Sequence, residues 1–93
     1  MTQVTRIQVV VQGRVQGVGY RQFVRQLAER LQLTGWVRNL PDGSVEVLLE
    51  GEVEQMNEVI SLLQRGPTAA KVTHLESRRE SGGREYTAFV ILR

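Results

Sequence analysis

The chain has 93 residues, 41% of them hydrophobic, and its 12 basic and 10 acidic side chains leave a formal net charge of +2. That length suits one compact domain with a modest core, expected over residues 1–93, and leaves too little chain for a second. So slight and dispersed a charge announces neither a nucleic-acid nor a membrane surface, and the absence of cysteine excludes disulfides, a thiolate nucleophile and zinc sites of the cysteine type.

Met1 to Arg6 lacks the apolar run of a secretory signal, and no later stretch nears the roughly 18 apolar residues of a membrane span. A soluble, cytoplasmic protein is the expectation. Ile7, Val9 and Val11 then alternate with Gln8, Val10 and Gln12, the period-two pattern of a strand with one buried face, which Gly13 is expected to end. From Arg21 to Leu33 the apolar residues Phe23, Val24, Leu27, Ala28 and Leu31 form the stripe of an amphipathic helix, closed by Thr34-Gly35. Trp36–Leu40 and Ser44–Glu50 read as a β-hairpin around Pro41-Asp42-Gly43, and Trp36 is expected in core or hairpin packing. Val53, Met56, Ile60 and Leu63 mark a second helix that stops before Gly66-Pro67. Val72–Arg78 and the strongly β-prone Tyr86–Leu92 follow as strands, with Ser81-Gly82-Gly83 as a turn between them.

The order is β-α-β-β-α-β with one extra strand. Two helices separated by an antiparallel hairpin predict an α+β, split βαβ or ferredoxin-like sandwich, with both helices on one face of an antiparallel sheet.

Between the first strand and helix lies Gly13-Arg14-Val15-Gln16-Gly17-Val18-Gly19-Tyr20-Arg21, with no Ser, Thr, Asp or Asn to cap the helix. The first N–H groups of a helix have no partner within it, so these are free to face an anion. Glycines let successive amides converge, the helix dipole adds about 0.3 to 1 kcal/mol, and Arg21 offers charge-assisted bonds of about 1.5 to 3 kcal/mol each. No Gly-Lys-Ser/Thr follows as in a Walker loop, and Gln22 replaces the last small residue of a dinucleotide fingerprint. The plainer alternative is a tight turn with Arg21 as a solvated first-turn residue.

With no cysteine in the chain and neither serine nor threonine in the loop, the attacking group on a bound phosphate would be water. Asn39 is a candidate to orient it, because a carboxamide both donates and accepts; a turn role before Leu40-Pro41-Asp42-Gly43 is the alternative. Neither loop nor hairpin offers a general acid for an alkoxide. A carboxylate, with a conjugate-acid pKa of about 4, leaves unprotonated, which favours acyl phosphates over phosphate esters. No carboxylate cluster suits magnesium, so neither metal nor other cofactor is expected.

The loop from Gly13 to Arg21, together with Gly35-Trp36-Val37-Arg38-Asn39 and Asp42-Gly43-Ser44-Val45-Glu46, resembles the two signature motifs of the acylphosphatases. The resemblance extends over nearly the whole chain, to the terminal Phe89–Arg93 strand. It implies a ferredoxin-like domain that hydrolyses carboxyl-phosphate anhydrides without a metal. Arg21 matches the phosphate-binding arginine, Asn39 the asparagine that orients water, and the amides of Gln16, Gly17, Val18, Gly19 and Tyr20 the oxyanion cradle. The partners implied are a small acyl phosphate as substrate and inorganic phosphate as product, with a monomer expected and no nucleic acid or membrane. Tyr20 stands where many members carry phenylalanine, and Gly66-Pro67-Thr68-Ala69 replaces a more usual Pro-Pro pair.

Ferredoxin-like sheets also bind RNA through strand aromatics, but aligning Tyr86 with the first aromatic of that signature puts Glu85, Ala88 and Ile91 at its other positions, so the stacking platform is missing. A regulatory anion binder without turnover is a third reading, which Asn39 argues against. His74 is expected at a surface or edge, Arg38 on the face opposite Asn39, and Arg78, Arg79 and Arg84 at a solvated basic tip.

Overall fold

The computed structural model describes residues 3–92, so Arg93, the last residue of the expected final strand, lies outside the described residues. Seven elements follow one another: β1 (Val4–Arg14), α1 (Tyr20–Arg30), β2 (Thr34–Asn39), β3 (Val45–Glu52), α2 (Val53–Arg65), β4 (Lys71–Glu80) and β5 (Phe89–Ile91). The sheet runs β4-β1-β3-β2-β5. β3 pairs antiparallel with both β1 and β2, β4 pairs antiparallel with β1, and β5 pairs parallel with β2, which makes the sheet mixed.

Alternation along the strands decides which face is covered. Ile7, Val9 and Val11 of β1 and Val45, Val47 and Leu49 of β3 point to one side, where they meet Val24, Leu27 and Ala28 of α1 and Met56, Val59 and Leu63 of α2 in a single buried cluster. Val9, Val24, Leu49 and Leu63 are wholly inaccessible, and burial of each such side chain contributes about 1.5 to 3 kcal/mol. Both helices thus cover one face, and the expected ferredoxin-like sandwich is the fold.

Several boundaries differ from the sequence expectation, each for a local reason. β1 passes through Gly13 to Arg14 because the β1–β4 pairing shifts register between Gln12 and Gly13 and then continues to Lys71. α1 begins one residue early, at Tyr20, and ends at Arg30; Gln32, at φ 59°, turns the chain out of the helix. Thr34-Gly35 is therefore not a helix stop but the start of β2. Gly35 sits at φ 135° so close to β3 that a Cβ there would lie 1.9 Å from the Leu48 carbonyl oxygen, a close approach that only glycine permits.

The final strand differs most. It is three residues long, and Ser81-Gly82-Gly83 joins no hairpin, since β4 and β5 occupy opposite edges of the sheet. Residues 81–88 lead from one edge to the other, held at β3 by Glu50. Its buried carboxylate accepts the Glu85 amide at 2.8 Å, the Tyr86 amide at 3.0 Å and the Thr34 hydroxyl at 2.9 Å. Arg6 donates to Glu85, and Arg84 donates to Thr34 Oγ1 and to the Glu50 carbonyl oxygen. Arg84 is thus exposed as expected, but tied to β2 and β3 rather than free at a tip. Trp36 is likewise outside the apolar core: it is half-buried, its indole N–H lies 3.2 Å from the Tyr86 hydroxyl, and the Arg38 guanidinium lies 5.1 Å from the ring centroid.

Candidate active site

Strand direction brings the sequence-predicted residues together. Because β1 and β2 both run antiparallel to β3, and β5 runs parallel to β2, the three C-terminal strand ends meet at one end of the sheet, beside the N-terminus of α1. Val11 lies opposite Val45, which lies opposite Asn39, so all three face the helix side in one row. The glycine-rich loop, Asn39 and the end of β5 thereby become neighbours.

The loop's conformation follows from its residues. Val15 is buried and anchors it, while Gly17 and Gly19 adopt φ values of 72° and 79°. A Cβ at either would meet nothing within 4 Å, so backbone conformation rather than space requires glycine. Gly19 is the residue preceding α1, with no side-chain cap, and the first turn carries no acidic residue to offset the helix dipole. Among the described residues, the amides of residues 16–19 have no protein hydrogen-bond acceptor. A cluster of unpaired donors at the positive end of a helix favours an anion.

A cleft of about 290 Å³ opens there, lined by Val15, Gly17, Gly19, Tyr20, Arg21, Gln22, Asn39 and Ile91. Arg21 is half-buried, and its guanidinium donates to the Leu92 carbonyl oxygen at 3.3 Å. Asn39, the last residue of β2, is solvent-exposed and lines the same cleft. Gln16 and Val18 do not line the cleft. Val18 packs against the core, and the Gln16 side chain turns to the hairpin, donating to the carbonyl oxygens of Leu40 at 2.8 Å and Ser44 at 2.9 Å. Ile91 and the Leu92 carbonyl were not foreseen as cleft components, because no local pattern reveals which strand β5 joins.

Tyr20 fixes the start of α1 from beneath. Its hydroxyl donates to the Leu63 carbonyl oxygen at 2.7 Å, and burial pushes the phenol well above its ordinary range, so it remains a protonated strut. In the hairpin turn, the Ser44 hydroxyl and then the Ser44 amide hold the Asp42 carboxyl below its usual value, consistent with a turn residue that stays ionised. Arg38 projects to the other face, where it pairs with Glu46 at 2.7 Å. His74 is exposed on edge strand β4 beside Glu76, away from the cleft. Among the described residues, no group of three or more His, Cys, Asp or Glu side chains is placed to hold a metal ion, and no helix is long and apolar enough to cross a membrane.

An open α+β sandwich whose uncapped, arginine-bearing helix N-terminus faces a carboxamide defines a protein class built to handle small oxyanions at one end of its sheet. Comparison with known proteins gives that class its family: the acylphosphatase family model matches residues 7–91. An acylphosphatase from Acaryochloris marina is 47% identical over 93 residues, covering 100% of this chain and 99% of its own, and one from Methylococcus capsulatus is 48% identical over 88 residues, covering 95% and 96%. The crystal structure of acylphosphatase from Bacillus subtilis superposes with a TM-score of 0.92 at 34% identity, covering 96% of this chain and 99% of that one. The chain belongs to the acylphosphatase family, and acyl phosphate hydrolysis is its activity.

Proposed function

We propose that the cleft hydrolyses small acyl phosphates by direct attack of water on phosphorus, within a single domain spanning residues 1–93 that acts as a monomer. Arg21 and the loop amides from Gln16 to Tyr20 hold the phosphoryl oxygens, where fixed donors stabilise the charge that builds at the transition state. Asn39 accepts a hydrogen bond from the water and so turns the water's lone pair toward phosphorus, an alignment role that needs no titration. The new P–O bond forms as the P–O bond to the acyl group breaks. The bonding pair leaves with the carboxylate, and the water's proton passes to phosphate or solvent. A carboxylate leaving group needs no general acid; the cleft lining includes no Asp, Glu or His, and the Tyr20 hydroxyl is committed to the Leu63 carbonyl oxygen. Cationic and dipolar donors supply the charge neutralisation, so the reading requires no metal.

The observation that carries this reading is the meeting of Arg21, Asn39 and the loop residues Gly17 and Gly19, whose amides have no protein acceptor among the described residues, around one cleft. Phosphate release from acetyl or benzoyl phosphate in the presence of a chelator tests it. Sustained turnover is expected. Turnover abolished by the chelator and restored by a divalent cation would overturn the metal-free mechanism.

A further inference from the structure

Gln16 belongs to the phosphate loop by sequence, yet its side chain is committed elsewhere. One Nε2 atom donates to the carbonyl oxygens of Leu40 and Ser44, the residues flanking the Pro41-Asp42-Gly43 turn. The same oxygens also receive bonds from within the hairpin, the Gly43 amide donating to Leu40 at 3.1 Å and the Leu40 amide to Ser44 at 2.8 Å. A carbonyl has two lone pairs, so the Gln16 carboxamide fills the second site of each. Both neighbours are acceptors, so the amide group rather than the carbonyl of Gln16 must face them.

The placement matters because the loop and Asn39 are otherwise joined only indirectly. β1 and β2 are separated by β3, a span of about 9 to 10 Å across two strand spacings. Asn39 is the last residue of β2, and beyond it the chain enters a turn whose hydrogen bonds, among the described residues, are its own and those from Gln16. Leu40, one residue further on, is where Gln16 grips.

We propose that Gln16 is a positioning residue, a strut that sets the hairpin end carrying Asn39 at a fixed distance from the loop that holds phosphate. The inference rests on the proposed role of Asn39 as the group that orients water. A misplacement of about 1 Å in such a group lowers turnover by roughly a hundredfold, whereas phosphate binding depends on Arg21 and loop amides that Gln16's side chain does not touch.

The test is a double-mutant cycle with Gln16→Met, which keeps the side chain's length and removes its donor, combined with Asn39→Ala. Gln16→Met should lower kcat about tenfold or more while the Kd for inorganic phosphate changes by less than about twofold. In the Asn39→Ala background the same substitution should alter residual kcat by less than about twofold, because the group being positioned is already gone. Equal losses in both backgrounds, a parallel loss of phosphate affinity, or an unchanged kcat would each overturn the proposal. Gln16→Glu supplies an independent arm should the methionine variant not fold. The ionised carboxylate has no donor and the protonated acid has one, so its kcat relative to the parent chain should rise as pH falls toward about 4 to 5. A flat ratio would overturn the strut. Failure of the underlying reading is separately visible, as full turnover in Asn39→Ala alone.

Discussion

The Tyr20 hydroxyl donates to the main-chain carbonyl of Leu63 at 2.7 Å, joining the first residue of α1 to the last turn of α2 beneath the cleft. The four last carbonyls of a helix lack partners within it, and Gly66 serves Leu62 as Tyr20 serves Leu63. The bond supports the loop–helix junction without lending a group to the chemistry.

Tyr20→Phe leaves the Leu63 carbonyl unpaired and should cost about 1 to 2 kcal/mol of stability at pH 7 with turnover preserved. Burial raises the folded-state pKa of this phenol, so its contribution is full below the unfolded value of about 10 and is lost as pH rises above it. There the unfolded chain releases a proton that the native chain keeps, and stability falls by about 1.4 kcal/mol per pH unit from this group alone. Urea denaturation of both proteins at pH 7 and near pH 11 checks the sign: the gap between them should narrow at high pH, and a gap that widened would contradict the assignment.

Arg21 and Asn39 line the same cleft in different roles, and variants should separate them. Arg21→Ala is expected to lose both phosphate binding and turnover, the latter by about a thousandfold. Asn39→Ala should lose turnover by about a hundredfold or more while still binding inorganic phosphate within about threefold of the parent affinity. Calorimetric phosphate titration alongside steady-state kinetics distinguishes them, and the reverse pattern would show the roles exchanged.

Glu50 is wholly buried, and its carboxylate holds the amides of Glu85 and Tyr86. Glu50→Ala orphans both donors and the Thr34 hydroxyl, at an expected cost of about 2 to 5 kcal/mol. The crossing segment leads into β5, which carries Ile91 to the cleft and Leu92 to Arg21. Hydrogen exchange should therefore accelerate at Glu85 and Tyr86 first and at the β2–β5 pairing next. Unchanged protection at those amides would show that β5 is held by its own pairing.

Much of this arrangement is local in origin and was legible residue by residue. Alternation at Ile7, Val9 and Val11, the helical stripe from Phe23 to Leu31 and the turn at Pro41-Asp42-Gly43 each reflect preferences acting over a few residues. The uncapped glycine loop and Arg21 belong with them, since an anion-seeking helix start is a property of adjacent groups. The sequence by itself therefore determined the order of elements, the nature of the loop and, through motif resemblance, the family.

Tertiary structure alone decided which distant groups meet. Tyr86–Leu92 carries strand propensity throughout, but only Phe89–Ile91 becomes strand, because β2 offers a parallel partner just over Gly35–Val37. Thr34-Gly35 resembles a helix stop until the close approach to Leu48 makes it strand. The turning of Gln16 away from the cleft, the burial of Glu50 beneath a crossing segment and the reach of Arg21 to Leu92 all join residues far apart in the chain. Such bonds depend on strand order and register, which arise from burying the whole apolar face at once, so no single stretch of residues encodes them.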